Sequence, residues 1–583
     1  MKKFKILKIL RVACSLIIFC MISMQFLDVY HTLPKPYYRY NAIGAMFVPS
    51  LLKMLATTSI AAGSAFFTFV ILSIFFGRTY CSFACPFGTL MDILRRVSQF
   101  PAKSKLLKNT KFGKFCKKNF FTQKFHKSRN VVRGAFLAFA TLAIIFGYGA
   151  LLGLIEPYSL YGKIMGCTVH STEGIVVDKL GSILAGFGVY SVPPVSGHPE
   201  VSLASFGLAI LILIGIWLAS AFRGRLYCNT ICPVGAFLGI FSKFSIFKLS
   251  FDKSKCVSCG LCERNCKTEC IDVKNKKIDS SKCVLCFNCA SQCPKSAIKI
   301  TTSFAKSEKP IKQEVDKCDT ETNNASVQSP RRRTLIGGLA TATAILCSAA
   351  KKDSQAGKKI QRNKSKCKNV SPYSLDPSDP RSAMTTPPGS KSVENFLEHC
   401  TGCQICTSAC KAHILKPSIT EWGLSGIMRP FMDYTAGFCL YECHNCSKVC
   451  PTGAIQFISG KNKRQEKIGT AIFDENLCVV KTDGTDCAAC GEHCPVQAIE
   501  LIPFGDPKNS LYIPHVHKDV CIGCGACEYI CPVKPKKAIV VRGLAEHKKA
   551  TLFDESMRLF KPQESANKES TPPTQNSGSL FPF

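Results

Sequence analysis

The chain has 583 residues, 36 cysteines and a formal net charge of +36, so its length allows several domains. It is too long for a small disulfide-stapled protein, and its long apolar runs, which are confined to the first 225 residues or so, argue against a purely soluble fold. The charge does not indicate nucleic-acid binding, because most cations flank apolar runs and no recognition motif accompanies them.

Four apolar runs, at residues 9–27, 56–76, 135–155 and 203–221, are long enough to cross a bilayer, and in lipid they must be helical. Lysine and arginine are dense before the first run and between the second and third, and sparse in the loops on the other side. By the positive-inside bias, the N-terminus and the segment after the fourth run are predicted to be cytoplasmic. Residues 1–250 are therefore predicted to form an α-helical membrane domain of four spans.

One short motif occurs twice, at the predicted cytoplasmic ends of the second and fourth runs. The strings YCSFACP and YCNTICP each follow Gly-Arg-x, and the repeat predicts two related halves. C-x3-C at a helix end places both sulfurs on one face. The pairs Cys81 with Cys85 and Cys228 with Cys232 are thus candidates for a four-thiolate metal site or for redox-active dithiols, and the sequence does not choose between them.

Two ionisable residues border the predicted spans. Glu156 lies at the outer end of the third run, and His31 lies just outside the first. Ionisable groups at such positions are costly and often functional, so both are candidates for the proton acceptor that quinol oxidation needs. The alternative for each is an interfacial residue that contacts lipid headgroups.

The strongest signal is C-x2-C-x2-C-x3-C, which occurs four times and is joined by two variants with a longer first gap. Three such thiolates hold three corners of a [4Fe–4S] cubane, and the fourth cysteine reaches a second cluster. Pairing the groups in chain order predicts six clusters in three two-cluster units. The predicted ligand sets are Cys256, Cys259, Cys262 and Cys293; Cys283, Cys286, Cys289 and Cys266; Cys400, Cys403, Cys406 and Cys450; Cys439, Cys443, Cys446 and Cys410; Cys478, Cys487, Cys490 and Cys531; and Cys521, Cys524, Cys527 and Cys494.

Other cysteine chemistry fits these spacings poorly, since zinc favours paired C-x2-C knuckles and disulfides show no regular spacing. One ambiguity concerns the second set, where Cys270 competes with Cys266 as the fourth ligand. The sequence has no GxGxxG motif for a nicotinamide or flavin cofactor and no C-x-x-C-H for haem. Closely spaced clusters without a catalytic cofactor indicate a protein that carries electrons between two partners.

The remaining segments are predicted from composition. Residues 251–300 form the first ferredoxin-like α+β domain and residues 391–545 a second region with four clusters, while 301–330 and 351–390 are polar linkers and 546–583 a polar tail. Residues 331–350 contain Arg332 and Arg333 before Leu335 and Ile336, which fits a twin-arginine export signal and adds a signal or anchor helix. Residues 391–545 are accordingly expected on the periplasmic side of a bacterial inner membrane.

Residues 1 to about 300, with four spans, two C-x3-C-P motifs and a two-cluster domain, resemble the NapH-type membrane subunit of quinol dehydrogenases. The twin-arginine segment and the cysteine groups of 400–531 resemble the periplasmic NapG and MauM ferredoxin subunits. The fusion of the two and the long gaps after Cys439 and Cys478 depart from these relatives. The resemblance implies oxidation of quinol from the membrane pool and electron delivery to a periplasmic reductase or cytochrome c.

Two alternatives share part of this pattern. A membrane ferredoxin for metal-centre maturation, similar to the CcoG group, has the C-x3-C-P and cytoplasmic cluster motifs but no need of four outer clusters. A redox regulator similar to the membrane half of NosR is disfavoured because no flavin-binding domain precedes the first span.

Overall fold

The computed structural model describes residues 2–28, 43–104, 129–188, 201–302, 384–505 and 511–560, except 420, 424 and 425, together with 110, 111, 114, 125 and 126. The predictions for His31 and for the twin-arginine segment lie outside the described residues. Within them, two helices are long and apolar enough to cross a bilayer, at Lys3–Leu27 and Leu203–Arg223.

The first half of the described chain is a helical domain. Its helices are α1 (Lys2–Leu27), α2 (Phe47–Thr57), α3 (Ser64–Phe76), α4 (Tyr80–Phe83), α5 (Pro86–Lys103), α6 (Asn130–Ile145), α7 (Gly149–Gly153), α8 (Pro157–Ile164), α9 (Ser171–Gly186), α10 (Leu203–Arg223), α11 (Leu226–Thr230) and α12 (Pro233–Ser242). A π-helical segment, Met165–His170, joins α8 to α9 without a break. Helix α9 was not predicted from the sequence.

The second and third predicted spans are each interrupted. The run 56–76 breaks where α2 ends, at Thr58 with a positive φ of 51°, and resumes in α3 after the 3-10 turn Ile60–Gly63. The run 135–155 breaks between α6 and α7 at Gly147, whose φ is 71°. Hydroxyl-bearing residues and glycine favour such breaks, because they bond to the local backbone or tolerate left-handed conformations.

The predicted repeat has a counterpart in the order of elements. Residues 64–103 contain a long apolar helix, a short helix with the first cysteine motif, and a helix that begins at Pro86. Residues 203–242 repeat this order, ending in a helix that begins at Pro233. Proline is well suited to the first helical turn, where its missing N–H costs nothing.

The first ferredoxin unit, residues 247–302, is built of short elements around its cysteines: β1 (Phe247–Phe251), α13 (Leu261–Arg264), β2 (Ile271–Asp272), β3 (Lys277–Ile278), α14 (Asn288–Gln292) and β4 (Ile298–Thr302). Strand β1 pairs antiparallel with β4, and β2 with β3. The chain enters and leaves this unit through one two-stranded sheet, which is consistent with the predicted α+β class.

The third ferredoxin unit, residues 466–560, repeats the two antiparallel strand pairs of the first, whereas the second, residues 384–463, has one such pair in the part of the chain that the structure describes. Their elements are α15 (Val393–His399), α16 (Ile405–Ser408), β5 (Leu415–Pro417), β6 (Pro430–Met432), α17 (Asn445–Val449), α18 (Gly460–Lys463), β7 (Glu466–Phe473), α19 (Val479–Thr482), α20 (Ala489–Glu492), β8 (Ile499–Phe504), β9 (Leu511–Val516), α21 (Ala526–Ile530) and β10 (Ile539–Lys549). The antiparallel pairs are β5 with β6, β7 with β10 and β8 with β9.

The third unit extends past the predicted boundary at residue 545. Strand β10 runs to Lys549, and the backbone amides of Leu559 and Phe560 donate to the carboxylate of Glu500 at 2.9 and 2.7 Å. The segment 551–560 therefore packs on β8 and belongs to the unit, because its backbone donors are satisfied there.

Helix α10 contacts a different ferredoxin unit at each end. Near its start, the Ser205 hydroxyl donates to the carbonyl of Pro417 in the second unit at 3.4 Å. Just past its end, the amide of Arg225 donates to the carbonyl of Lys267 in the first unit at 2.9 Å. A helix of 21 residues is roughly 30 Å long, so the two units lie at opposite ends of the helical domain.

Candidate iron–sulfur centres

Two cysteine-lined cavities lie in the first ferredoxin unit. One is lined by the first predicted set, Cys256, Cys259, Cys262 and Cys293. The other is lined by Cys266, Cys270, Cys283, Cys286 and Cys289, so it contains both competitors for the fourth ligand position. In each case the fourth cysteine comes from the partner motif, which is the crossover that a two-cluster ferredoxin requires.

The backbone hydrogen bonds to sulfur distinguish Cys266 from Cys270 as the candidate fourth ligand. The sulfurs of Cys293 and Cys494, each the last cysteine of its motif, accept a bond from the amide four residues later, at 3.2 Å. Cys266 accepts the same bond from the amide of Cys270 at 3.4 Å. Cys270 thus occupies the position of Ala297 and Ala498 in the other motifs, while Cys266 has the backbone setting of a ligand.

The four sets of the second and third units also converge. Cys410, Cys439, Cys443 and Cys446 line one cavity, and Cys494, Cys521, Cys524 and Cys527 line another. Cys400, Cys403, Cys406 and Cys450 lie close enough for their charges to act on one another, as do Cys478, Cys487, Cys490 and Cys531. The residues present thus fit [4Fe–4S] clusters, because each site offers four sulfurs and few other donors.

The second and third units meet at two of these sites. The amide of Cys439 donates to the carbonyl of Cys524 at 2.9 Å, and the hydroxyl of Tyr434 donates to the carbonyl of Gly523 at 2.9 Å. The sets that contain Cys439 and Cys524 are therefore neighbours across the boundary between units. Such an arrangement favours electron transfer from one unit to the next.

The cysteine loop of the second unit packs directly on helices α7 and α8. A β-carbon added to Gly149 would lie 2.6 Å from the carbonyl oxygen of Glu398 and 2.9 Å from that of Cys400. One added to Gly153 would clash with the carbonyl of Thr401, and one added to Gly162 with that of Cys403. Only glycine fits at these contacts, so this row of glycines sets how closely the loop approaches the helical domain.

Glu156 lies within this contact, buried to 1% exposure. Its carboxylate accepts hydrogen bonds from the amides of Tyr158, at 3.0 Å, and Ser159, and so caps the start of α8. The hydroxyl of Tyr227, from the second cysteine motif, donates to the carbonyl of Ile155 next to it at 2.6 Å. Glu156 is thus placed between the C-x3-C-P region and the loop of Cys403.

Lys163 is a charged residue in this contact that the sequence reading did not single out. It is fully buried, and its ammonium donates to the carbonyl of Gly153 at 2.9 Å. Burial lowers the pKa of Lys163 to about 8, against the opposing influence of Cys167 and Glu156. A single lysine in the last turn of α8 gave no sequence signal, because only the folded chain brings it to the cysteine loop.

The two C-x3-C-P pairs meet in the interior of the helical domain. Cys81, Cys85, Cys228 and Cys232 are each 4–6% exposed, and the charges of the other three act on Cys232. The sulfurs of Cys85 and Cys232 each accept a bond from the amide three residues later, at 3.4 and 3.3 Å. The structure therefore brings together the two pairs that the sequence reading identified separately.

The arginine that precedes each motif contacts the other half of the repeat. Arg78 donates to the carbonyl of Cys228 at 2.9 Å, and Arg225 donates to the carbonyl of Cys81. Both side chains are buried, with 0% and 1% exposure. The repeated Gly-Arg-x sequence marked these two arginines. Only the tertiary structure shows that each of them bonds to the other half of the repeat.

Asp92 connects the helical domain to the first ferredoxin unit. Its carboxylate lies 2.8 Å from Arg225, 2.7 Å from Lys267 and 3.7 Å from Arg11. Although burial opposes ionisation, the charges of Arg225 and Lys267 hold the pKa of Asp92 well below its usual range. The side chains of this ion-pair network stay charged because each buried ion has a partner of opposite charge.

Three families of iron–sulfur domains match parts of this chain. A family described as "4Fe-4S binding domain" matches residues 58–106 and 206–252, which contain the two C-x3-C-P motifs. A second family with that description matches residues 249–272, and a "4Fe-4S dicluster domain" matches residues 484–535. No solved structure matches the chain.

Curated relatives are similar over about a quarter of this chain. The ferredoxin-type protein NapF of Escherichia coli is 30% identical over 147 residues, which cover 79% of its length. The chain belongs to the Nap and Mau family of ferredoxin-type proteins. MauM, the methylamine utilization ferredoxin-type protein of Methylorubrum extorquens, is 32% identical over 150 residues, and E. coli NapG is 30% identical over 150 residues. These matches cover 66% of MauM and 64% of NapG, and 25% of this chain.

Membership of the Nap and Mau family confirms the predicted resemblance to NapG and MauM and makes the chain an iron–sulfur electron-transfer protein. The geometry also gives the spatial order of the cysteine sites. The set of Cys266 and Cys283 faces the helical domain from one side, and the set of Cys400 and Cys403 faces it from the other. The C-x3-C-P cysteines lie between them.

Proposed function

We propose that this protein is anchored in a membrane, oxidises quinol there, and passes the electrons through [4Fe–4S] clusters to a periplasmic reductase or cytochrome. The observation that carries the proposal is the position of α10, which has the second ferredoxin unit at Ser205 and the first at Arg225. Its length of roughly 30 Å equals the thickness of a bilayer's hydrocarbon core. An electron-transfer protein with this shape has cluster domains on both faces of the membrane.

The outer surface of the helices supports the membrane anchor. Large apolar side chains are exposed on several helices, including Leu211, Trp217 and Leu218 on α10 and Ile9 and Ile17 on α1. A soluble protein rarely exposes apolar patches of this extent, whereas lipid chains cover them at no cost. The two long helices and the pairs α2–α3 and α6–α7 would then make the four predicted crossings, two of them broken.

Four clusters on the predicted ligand sets of the second and third ferredoxin units would form a line of centres. The set of Cys400 lies at the helical domain, and the neighbouring sets of Cys439 and Cys524 follow. The set of Cys478 lies last, where the six residues 481–486 are all exposed. We assign the exit towards the periplasmic partner to this end, because an exposed loop beside a cluster offers a docking surface.

Quinol oxidation releases two protons for each two electrons, so the site needs a proton acceptor beside the first cluster. Glu156 meets this requirement, since it is a buried carboxylate close to Cys403 and next to the second C-x3-C-P motif. The capping bonds from the amides of Tyr158 and Ser159 hold the carboxylate in place. We assign to Glu156 the role of proton acceptor in addition to its role as a cap.

The test is anaerobic purification, reconstitution in liposomes and addition of menaquinol, with cluster reduction followed by EPR and visible bleaching. Reduction that a quinone-site inhibitor blocks would establish quinol oxidation. If dithionite reduces every cluster and menaquinol reduces none, the proposal fails, and a role in metal-centre maturation or reverse electron flow takes its place. Protease accessibility of the first and second units in sealed vesicles tests the sidedness separately.

A further inference from the structure

Cys259 differs from the other predicted cluster ligands in its exposure. It is exposed to solvent, whereas every other cysteine of the six predicted sets is buried or half-buried. The described residues that line the cavity of this first set all belong to the first ferredoxin unit. Two exposed apolar side chains, Val257 and Leu261, lie on either side of Cys259 in the same loop. A cluster held here lies at the protein surface, within reach of a soluble redox protein.

Positive charge is attached to the backbone of this loop. Nη2 of Arg264 donates to the carbonyl of Cys259 at 3.2 Å. Nζ of Lys276, from the turn between β2 and β3, donates to the carbonyl of Cys256 at 3.5 Å. Both acceptors are neutral oxygens, so these bonds hold the two cations beside the first set without cancelling their charge.

Two exposed lysines, Lys255 and Lys295, line the same cavity. Together with Arg264 and Lys276 they form a surface that we call the basic rim. The three segments that contain these residues and the cysteines of the first set have eight lysines or arginines and three acidic residues, over 251–264, 271–277 and 293–299. The basic rim therefore carries a net positive charge around the most exposed of the predicted cluster sites.

The far end of the third unit has the opposite charge. Residues 474–494, which include three ligands of the Cys478 set, contain five acidic residues and one lysine. That lysine, Lys481, is paired with Glu475 at 2.7 Å, and Asp483 and Asp486 are exposed. Complementary charge steers the encounter of two proteins and selects between partners. The two exposed ends of the cluster sites thus favour partners of opposite charge.

We propose that the basic rim docks a soluble, acidic, one-electron carrier protein, which exchanges an electron with the cluster of Cys256, Cys259, Cys262 and Cys293. When the reduced carrier binds, it loses one electron and the cluster gains it, with no bond broken and no proton transferred. The line of four clusters in the second and third units does not include this site, so the first unit serves as a separate electron port. The docking surface is independent of the proposed function, but the assignment of the carrier to the cytoplasm rests on it.

The second set of the first unit lies on the side towards the helical domain. Ser281, two residues before Cys283, accepts a bond from Arg78 at 3.2 Å, and the Asn229 amide donates to the carbonyl of Thr268 at 2.9 Å. An electron that enters at the basic rim would therefore pass inward to this set. Anionic lipid also fits the charge of the rim, but a carrier protein accounts in addition for the exposed cysteine ligand within it.

The test uses the anaerobic full-length protein in neutral detergent and an acidic two-cluster bacterial ferredoxin as the probe. Stopped-flow mixing with the reduced ferredoxin measures cluster reduction, and carbodiimide cross-linking with mass spectrometry locates the contact. We expect the rate constant to fall about tenfold or more between low and high salt, since charge steers the encounter. We also expect cross-links at Lys255 and Lys295. A salt-independent rate, or cross-links confined to other units, would overturn the proposal.

Charge reversal tests the rim directly. Lys255→Glu with Lys295→Glu should slow reduction by ferredoxin about tenfold or more, while the iron content and the reduction by dithionite stay unchanged. The matched control is Lys411→Glu with Lys448→Glu, which reverses two exposed lysines beside cysteines of the second unit and should have no effect. A wild-type rate in the rim variant, or an effect seen only in liposomes of anionic lipid, would refute the proposal. Ferredoxin supplies the electron, so a failure of quinol oxidation leaves this result intact, and the wild-type salt dependence and cross-links decide if the variant does not fold.

Discussion

Lys163 of the helical domain lies against Gly402 of the second ferredoxin unit, so that a β-carbon on Gly402 would be 3.5 Å from Cε of the lysine. The ammonium is fully buried and donates to the carbonyl of Gly153. Gly402 separates Cys400 from Cys403, so a fixed positive charge stands beside the proposed cluster nearest the helical domain. A cation near a cluster favours its reduced, more negative state.

Replacing Lys163 by Met should therefore lower the midpoint potential of this cluster by roughly 50–100 mV, which corresponds to a screened unit charge at a few ångströms. Redox titration followed by EPR measures the shift. Lys463, which is 1% exposed and acts on Cys439, provides the matched control, because Lys463→Met should shift a different cluster. Equal shifts of all clusters in either variant would contradict a local charge effect.

Gly162 fixes the approach of the Cys403 loop, and Gly162→Ala should separate the second ferredoxin unit from the helical domain. The added methyl group clashes with the backbone carbonyl of Cys403, which cannot move without the loop. We expect a full complement of iron but at least tenfold slower reduction of the second and third units by menaquinol. Gly215→Ala on α10 is the control, since its β-carbon would meet nothing within 4 Å. Unimpaired electron transfer in the Gly162 variant would show that this contact is dispensable.

Cys266, not Cys270, is expected to be a cluster ligand. Cys270→Ala should keep all the iron, because alanine occupies the corresponding position after Cys293 and Cys494 and the backbone N–H···S bond remains. Cys266→Ala should lose one cluster and its EPR signal. Iron and sulfide analysis of the two variants settles the choice, and the opposite pattern would assign the cluster to Cys270.

Glu156→Gln should lower menaquinol oxidation by about 100-fold, the usual contribution of a positioned proton acceptor. The amide oxygen of glutamine can still accept from Tyr158, so the cap of α8 and the cluster content should survive. Initial rates of cluster reduction by menaquinol and by dithionite, compared in one preparation, measure the effect. Glu173→Gln in α9 serves as a control carboxylate. A normal menaquinol rate would leave Glu156 with only its capping role.

Asp92→Asn should destabilise the junction between the helical domain and the first ferredoxin unit by about 3–5 kcal/mol, the cost of unpairing buried charges. The lowered pKa of Asp92 means that its contribution is complete above the ordinary carboxyl pKa of about 4 and is lost only as the pH falls below it. At neutral pH the variant should thus melt earlier in detergent, as followed by circular dichroism. Asp252→Asn, which removes an exposed ion pair with Lys299, should have no such effect.

The local sequence was enough to predict the ferredoxin chemistry. Cluster ligands are held by short loops, so the cysteine spacing alone predicted the sets around Cys256 and Cys521, and in the structure the members of each set line one cavity. Apolar runs likewise predicted the two long helices, because length and apolar composition over about 20 residues can be read from the sequence. The breaks at Thr58 and Gly147 were missed, since hydropathy does not register a local change in backbone conformation.

What only the tertiary structure decided is how distant segments meet. Arg78 and Arg225 each bond to the other half of the repeat, and Gly162 contacts the carbonyl of Cys403. Lys163 is buried against Gly402. All these contacts join residues far apart in the chain. Such contacts depend on helix packing and on shape, which leave no periodic pattern in the sequence. The sequence by itself therefore determined which cofactor the chain binds, and the tertiary structure decided the order in which the cluster sites follow one another, because that order is a matter of distances across the fold.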